Sequence, residues 1–370
     1  MAGSVHSSPK QAGGRRIGVL GAGGFLGSHL VPAVLARVDC EIDAVDIQFG
    51  KLETSDPRVR RLAMRVEDPR TITETVERCD VLLSLTALCN PALYATRPLD
   101  VIDASYTDLV PLVKACAARG RRLVHFSTCE VYGRAALDAR AQPMHEMSEE
   151  HTGFFLGPVD RERWTYACAK QLLERVIWAH GRHGDLDFTI VRPFNVIGAR
   201  MDFLPGVDGE GVPRVLASFM NGLLRGEELR LVGGGAHRRS FISVEDFVDA
   251  IVRVIERPAA CRHEIINVGN PANDVSIRDL GAQLARAFAL RVPGGAPARF
   301  RDVSASELYG EGYDDTPERI PDIRKARRLL DWLPQATMAE MLPGIVDDYV
   351  VRYGHVVNSP GARVRRVGDR

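Results

Sequence analysis

The segment Arg16-Ile-Gly-Val-Leu-Gly21-Ala-Gly23-Gly24-Phe25-Leu26-Gly27 constrains this chain more than any other. It runs from a short apolar strand, Arg16 to Gly21, through a glycine-rich turn into a helix expected from Gly24 to Ala36. Glycines let a backbone approach a pyrophosphate closely, and the helix start offers free N–H groups and a positive dipole end. Asp46 closes the next strand, Glu41 to Asp46, about 20 residues on, where a carboxylate bonds the hydroxyls of an adenosine ribose. Gly21, Gly23, Gly24, Phe25, Leu26, Gly27 and Asp46 therefore predict a dinucleotide site. A carboxylate at that place repels a 2′-phosphate, so the expected cofactor is NAD and not NADP.

The rest of the first half repeats the alternation. Strands are expected at Val81 to Thr86, Leu123 to Ser127 and Asp187 to Arg192, and helices at Leu99 to Arg119 and Trp164 to His183. Such a pattern makes an α/β fold, a Rossmann doubly wound parallel sheet. After Pro193 the texture turns Gly- and Pro-rich, with a helix near Val212 to Leu224 and short strands near Leu229 to Leu231 and Phe241 to Ile242. The expected division is an NAD-binding domain over 15–192 with a return segment at 240–268, and a smaller C-terminal substrate-binding lobe over 193–355. Flexible tails are expected at 1–14 and 356–370, the latter carrying the basic run Arg363, Arg365 and Arg366.

Charge and cysteine content exclude several classes. Forty-eight basic residues balance 48 acidic ones, so no overall field draws the chain to nucleic acid or to an anionic membrane. No apolar stretch approaches the ~20 residues of a membrane span, and residues 1–14 do not read as a secretory signal. The seven cysteines lack a Cys-x-x-Cys pair, so neither a disulfide framework nor a metal site is expected, and the setting is a reducing cytoplasm. Cys40, Cys79, Cys116, Cys168 and Cys261 read as buried small apolar groups.

Beyond the 123–127 strand stand Thr128, Cys129 and Glu130, where ligands of an open α/β sheet bind. Farther on, Tyr166 and Lys170 share one helix face a turn apart. A nearby ammonium and the oxidised nicotinamide both favour phenolate, so Tyr166 is expected below the ordinary tyrosine pKa and able to take a hydroxyl proton as hydride leaves. The Gly233-Gly234-Gly235 run reads as a turn rather than a second phosphate cradle.

Gly21 to Gly27, Ser127-Thr128 and Tyr166-Ala-Cys-Ala-Lys170 resemble the extended short-chain dehydrogenase/reductase family of NAD-dependent epimerases and dehydratases. Longer blocks resemble the family's UDP-apiose/UDP-xylose synthase branch and, next, the UDP-glucuronate decarboxylase domain of the bifunctional polymyxin-resistance protein. These are Leu85 to Pro98, Thr128 to Gly133, Arg163 to Glu174, Val191 to Asn195, Met201 to Gly206, Gly211 to Val215 and Tyr309 to Pro321. The decarboxylase domain carries Ser where Cys129 stands here.

The resemblance implies a homodimer, packed through the helices at 99–119 and 164–183, that acts on a UDP-sugar. It implies Tyr166 as base with Lys170 its partner, Thr128 orienting a sugar hydroxyl, and Glu130 and Arg319 handling the glucuronate carboxylate and proton delivery. Arg163 and Asp315 would flank the substrate, and Cys89 and Cys129 would serve ring contraction. Asn195, Arg214, Arg230, Arg239, Tyr309 and Tyr313 are expected to hold the UDP-sugar. The implied reaction is oxidation and decarboxylation of UDP-glucuronate, then ring contraction and re-reduction to UDP-apiose and/or UDP-xylose. Three alternatives stand beside it: a decarboxylase that stops at UDP-4-keto-pentose or UDP-xylose, a UDP-glucuronate 4-epimerase, and a non-catalytic NAD-binding sensor.

Overall fold

The computed structural model describes residues 14–134, 145–294, 297–309 and 313–357. In its first part β1 (Arg15–Leu20) leads into α1 (Phe25–Arg37), followed by β2 (Cys40–Asp46), β3 (Val59–Ala63), α2 (Pro69–Arg78) and β4 (Val81–Ser84). Then come α3 (Ala92–Thr96), α4 (Pro98–Ile102), α5 (Val110–Arg119), β5 (Arg122–Phe126), α6 (Thr165–His183) and β6 (Phe188–Pro193). The second part holds β7 (Val196–Ile197), α7 (Val215–Arg225), β8 (Leu229–Val232), β9 (Arg238–Ser240), β10 (Ile242–Ser243), α8 (Val244–Glu256) and β11 (Glu264–Val268). It continues through β12 (Asp274–Ser276), α9 (Ile277–Arg291), β13 (Phe300–Val303), α10 (Ala305–Tyr309), α11 (Arg324–Leu330) and α12 (Met338–Tyr353).

Seven parallel strands form one sheet in the order β11-β6-β5-β4-β1-β2-β3. The winding reverses between β1 and β4, which opens a crevice at the carboxyl ends of the strands. Strands β4 and β5 are buried at every position, chiefly through Val81, Leu82, Leu83, Leu123, Val124 and Phe126, with Ser84, Arg122 and His125 buried among them. Ile17, Val19, Val124 and Val191 meet α1 and α8 on one face through Val31, Val34, Phe247 and Ile251. Leu82, Leu123 and Ile190 meet α2, α5 and α6 on the other through Ile72, Val76, Leu112, Val113, Leu173 and Ile177. A separate core joins α7, α9 and α12 through Leu216, Phe219, Leu284, Leu342 and Val346. The small pairs β7–β10, β8–β13 and β9–β12 frame that lobe.

The single helix expected from Leu99 to Arg119 is in fact three pieces: α4, a π turn at Asp103–Thr107, and α5. Pro111 has no N–H to give the carbonyl one turn back, so the ladder resets before it. The Gly233–Gly235 run is a turn, with all three glycines at positive φ. Of the two tails, residues 1–13 and 358–370, with Arg363, Arg365 and Arg366, lie outside the described residues; Gly354–Val356 forms a short 3-10 turn. Among the described residues no helix is long and apolar enough to cross a membrane.

Candidate active site

The nucleotide end is built from backbone. Gly21 takes φ +90, and a Cβ on Gly23 would sit 1.8 Å from the Gln48 carbonyl oxygen, so the turn is closed to side chains. The Asp46 carboxylate accepts from Gly23 N at 2.9 Å and Ile47 N at 2.7 Å, tying the glycine turn to the end of β2. Helix α1 starts without a capping side chain and without an acidic residue in its first turn. Its N–H groups thus keep their positive end un-neutralised, as a pyrophosphate requires. The hydroxyls of Thr86 and Ser127, beyond β4 and β5, are buried without a partner among the described residues. These features fit a dinucleotide laid across the crevice.

The sugar end is built from side chains that line one cavity of about 320 Å³. Cys89, Thr128, Cys129, Glu130, Arg163, Tyr166, Lys170, Asp315 and Arg319 all face it, as do Asn195, Arg214, Arg230, Arg239, Tyr309 and Tyr313. Phe25 and Leu26 reach it from the glycine turn. Thr128 caps the 3-10 turn Cys129–Tyr132 by accepting from Glu130 N at 3.2 Å. Gly133 must be glycine, because its φ is +65 and a Cβ there would lie 2.0 Å from the Phe155 carbonyl.

Charge is concentrated in a five-member cluster. Arg163 forks onto Glu130 at 2.5 and 2.8 Å, and Arg319 reaches the same carboxylate at 3.2 Å. Asp315 takes Arg239 at 2.6 Å and Arg319 at 3.0 Å, with Arg163 at 3.5 Å. A lone buried charge costs several kcal/mol, so these groups can stay charged only together. Burial opposes ionisation of Glu130, yet the Arg163 and Arg319 guanidiniums hold its pKa below the ordinary glutamate value. Asp315 is likewise held well below its usual range, against burial, by Arg239 and His237 and then by Arg319 and Arg163.

Lys170 is buried, donates to the Phe126 carbonyl at 3.0 Å, and is lowered to about 8 by burial. The protein's own groups hold the Tyr166 pKa well above the ordinary value, so the neighbouring ammonium alone does not lower it. Burial is the main cause, negative charge on Cys89, Glu130 and Cys129 adds to it, and only a hydrogen bond from Thr128 opposes it. The Lys170 ammonium is engaged by the Phe126 carbonyl, and the oxidised nicotinamide, the second positive group of the sequence expectation, would favour phenolate when bound.

The thiols also separate. Cys129 is buried and raised, chiefly by burial and then by Glu130, while Arg319, Arg239 and a bond from the Asn195 backbone pull the other way. Cys89 is exposed at the cavity. Cys168, expected to be buried, is exposed because it falls on the outer side of α6. Several substrate-side candidates already have partners in the protein: Asn195 Nδ2 holds the Ser240 carbonyl at 2.9 Å, and Arg214 Nε meets Asp202 at 3.1 Å. Tyr309 and Tyr313 stack with ring centroids 4.3 Å apart.

Two residues in the cavity were assigned no role from the sequence. Tyr94 is buried and stacks on Tyr166 at 5.3 Å, beneath the Arg163 guanidinium. His237 places Nδ1 3.8 Å from Asp315. Tyr94 lies five residues beyond Cys89 in a block already singled out, which was the available signal; His237, two residues before Arg239, offered only its proximity. Among the described residues no group of His, Cys, Asp or Glu is arranged to hold a metal ion.

Comparison with known proteins agrees with this geometry. Residues 17–269 match the NAD dependent epimerase/dehydratase family, and the chain belongs to that family. It is 42% identical over 344 residues, 88% of this chain and 86% of the relative, to UDP-D-apiose/UDP-D-xylose synthase of Oryza sativa subsp. japonica. To UDP-D-apiose/UDP-D-xylose synthase 1 of Arabidopsis thaliana it is 40% identical over 343 residues, 88% of each chain. The crystal structure of PbgP3 protein from Burkholderia pseudomallei is similar with a TM-score of 0.77 and 31% identity, covering 93% of this chain and 97% of that one.

Proposed function

We propose that this NAD-dependent enzyme oxidises and decarboxylates UDP-glucuronate, contracts the ring of part of the intermediate, and re-reduces it to UDP-apiose and UDP-xylose. The observation that carries the reading is the joining, in one cavity, of Tyr166, Lys170 and Thr128 with the thiols of Cys89 and Cys129 and the Glu130–Arg319 pair. NAD, held by the Gly21–Gly27 turn and Asp46, would supply the hydride acceptor for the sugar and later the hydride donor. The protein's groups do the rest. Tyr166 accepts the C4 hydroxyl proton while Thr128 holds that oxygen. Arg319 and Arg163, each shared with a carboxylate of the protein, receive the C5 carboxylate beside Glu130 and Asp315. The resulting C4 ketone lies β to the carboxylate and accepts its electron pair as carbon dioxide leaves, and protonation of C5 then restores the C4 ketone of the 4-keto-pentose.

Ring contraction needs further proton transfers. The C2 hydroxyl loses its proton as the C2–C3 bond opens, making C2 an aldehyde and placing the electron pair on the C3–C4 enediolate. A proton then moves from the C3 hydroxyl to the C4 oxygen, so that C4 attacks C2 and C3 becomes the branch aldehyde. Cys129, Cys89 and Glu130 are assigned to these transfers. Asn195, Arg214, Arg230 and Arg239 are assigned to the UDP portion, in a substrate lobe over 193–355. We also assign a cytoplasmic homodimer: all seven cysteines are free, and Leu172 and Trp178 on α6, with Leu99, leave an apolar face open.

The test supplies wild type and Cys129→Ser with UDP-glucuronate and NAD, and compares carbon dioxide with the pentose products by NMR. The variant replaces a thiol with a hydroxyl that scarcely ionises near neutrality, so carbon dioxide release persists while the branched fraction falls several-fold. Wild type that forms only UDP-xylose or the 4-keto-pentose overturns the ring-contraction reading in favour of a decarboxylase. UDP-galacturonate without carbon dioxide points to a 4-epimerase, and absence of turnover to a sensor.

A further inference from the structure

Behind the cavity wall a buried polar chain links three segments that carry catalytic candidates: the Cys129–Tyr132 turn, helix α6 and the Arg319 segment. Tyr132 ends the turn bearing Cys129 and Glu130, is fully buried, and packs against Phe154 and Phe194. Its hydroxyl donates to Asn267 Oδ1 at 2.8 Å and accepts from an Arg192 terminal nitrogen at 2.8 Å. Arg192, on β6, forks onto Glu174 at 3.0 and 2.6 Å. Glu174 lies one turn beyond Lys170 on α6. On the other side Asn267 Nδ2 donates to the Met147 carbonyl at 2.8 Å and the Asp322 carbonyl at 3.3 Å. Met147 N in turn holds the Ile320 carbonyl at 2.7 Å, next to Arg319. None of Tyr132, Glu174, Arg192 or Asn267 lines the cavity.

We propose that Tyr132 is a positioning residue whose hydroxyl, between Arg192 and Asn267, fixes the Cys129–Glu130 turn against helix α6 and the Arg319 segment. The proposal rests on the UDP-glucuronate reading. Thr128 follows Ser127, whose N–H still bonds the Val191 carbonyl of β6, and is steadied by the sheet, whereas Cys129 and Glu130 project beyond it and depend on the far end of the turn. A misplacement of ~1 Å at a reacting group costs on the order of 10²-fold in rate. Loosening the turn therefore harms the thiol-dependent transfers more than oxidation at Tyr166.

Tyr132→Phe keeps the ring and removes the hydroxyl alone. It should remain folded, bind NAD within about twofold of wild type, and lower the branched fraction of product at least about threefold while carbon dioxide release falls less. In the NAD-free protein, alkylation of Cys129 by iodoacetamide, followed by peptide mass spectrometry, should quicken by a similar factor because the buried thiol becomes more accessible. A second comparison separates positioning from bulk stability. Arg192→Met strands Glu174, whereas Arg192→Met with Glu174→Met removes both charges and should recover much of the thermal stability. It should not recover the product ratio, since Tyr132 still lacks its donor. A folded Tyr132→Phe with wild-type product ratio and wild-type Cys129 labelling overturns the proposal, as does a double variant that regains the wild-type ratio. If wild type releases no carbon dioxide, it is the functional reading that fails, and the Cys129 labelling rate alone then decides the role of Tyr132.

Discussion

The two ends of the active-site crevice are made of different materials. At the nucleotide end the chain itself is the binding surface: Gly21 and Gly23 leave no room for side chains, and Asp46 braces the turn through backbone N–H groups. At the sugar end Glu130, Arg163, Arg239, Asp315 and Arg319 come from four separated segments and pair with one another, three guanidiniums against two carboxylates. A site made of backbone holds its shape whether or not its ligand is charged. A site made of paired charges must exchange partners when an anionic sugar arrives, so its chemistry depends on each member.

That difference orders the expected effects. Tyr166→Phe should lower turnover by at least ~10²-fold with NAD binding intact, because the lost atom belongs to the sugar end alone. Steady-state rates beside NAD titrations check this, and near-normal turnover would remove Tyr166 as the base. Arg319→Ala leaves Glu130 and Asp315 short of a partner and should cost roughly 10–100-fold in carbon dioxide release. Unchanged release by a folded variant would show that the cluster is scaffolding. Gly23→Ala drives a Cβ into the Gln48 carbonyl and should weaken NAD about tenfold while leaving the sugar-end cluster in place. Calorimetry against NAD would expose the error if affinity were retained. Asp46→Ala, the mildest change, should weaken NAD a few-fold and narrow its preference over NADP. Equal affinities before and after would mean that Asp46 serves the turn and not the ribose.

The same contrast explains what could be read from the chain. β1, β2, β4, β5 and β6 were legible from the short apolar cores Ile17–Leu20, Ala44–Val45, Val81–Leu83, Leu123–Val124 and Ile190–Val191 that a sheet covered on both faces requires. The edge strand β3, Val-Arg-Arg-Leu-Ala, carries no such run and was not recognised. The glycine turn and Asp46 were legible because their spacing along the chain is their spacing in space. The shared face of Tyr166 and Lys170 on α6 followed from helical period, but the raising of the Tyr166 pKa by the protein's own groups did not, since it depends first on burial and then on Cys89, Glu130 and Cys129 closing over it. Tyr94 and His237 went unassigned for a related reason. Their roles arise from a stack on Tyr166 and an approach to Asp315, contacts between segments that sequence spacing does not encode.

The strand order has a consequence for how the protein is made. β6 lies between β5 and β11, and five of its six residues are buried. The ribosome releases β6 well before β11, with β7, α7, β8, β9, β10 and α8 synthesised in between. At ~5–20 residues per second, the nascent chain carries an open, apolar strand edge for several seconds. Such an edge is a template for pairing with another chain. Crowded polysomes translating this message are thus the place where intermolecular sheet pairing competes with folding, and slowing translation between Pro193 and Glu264 should raise the aggregated fraction.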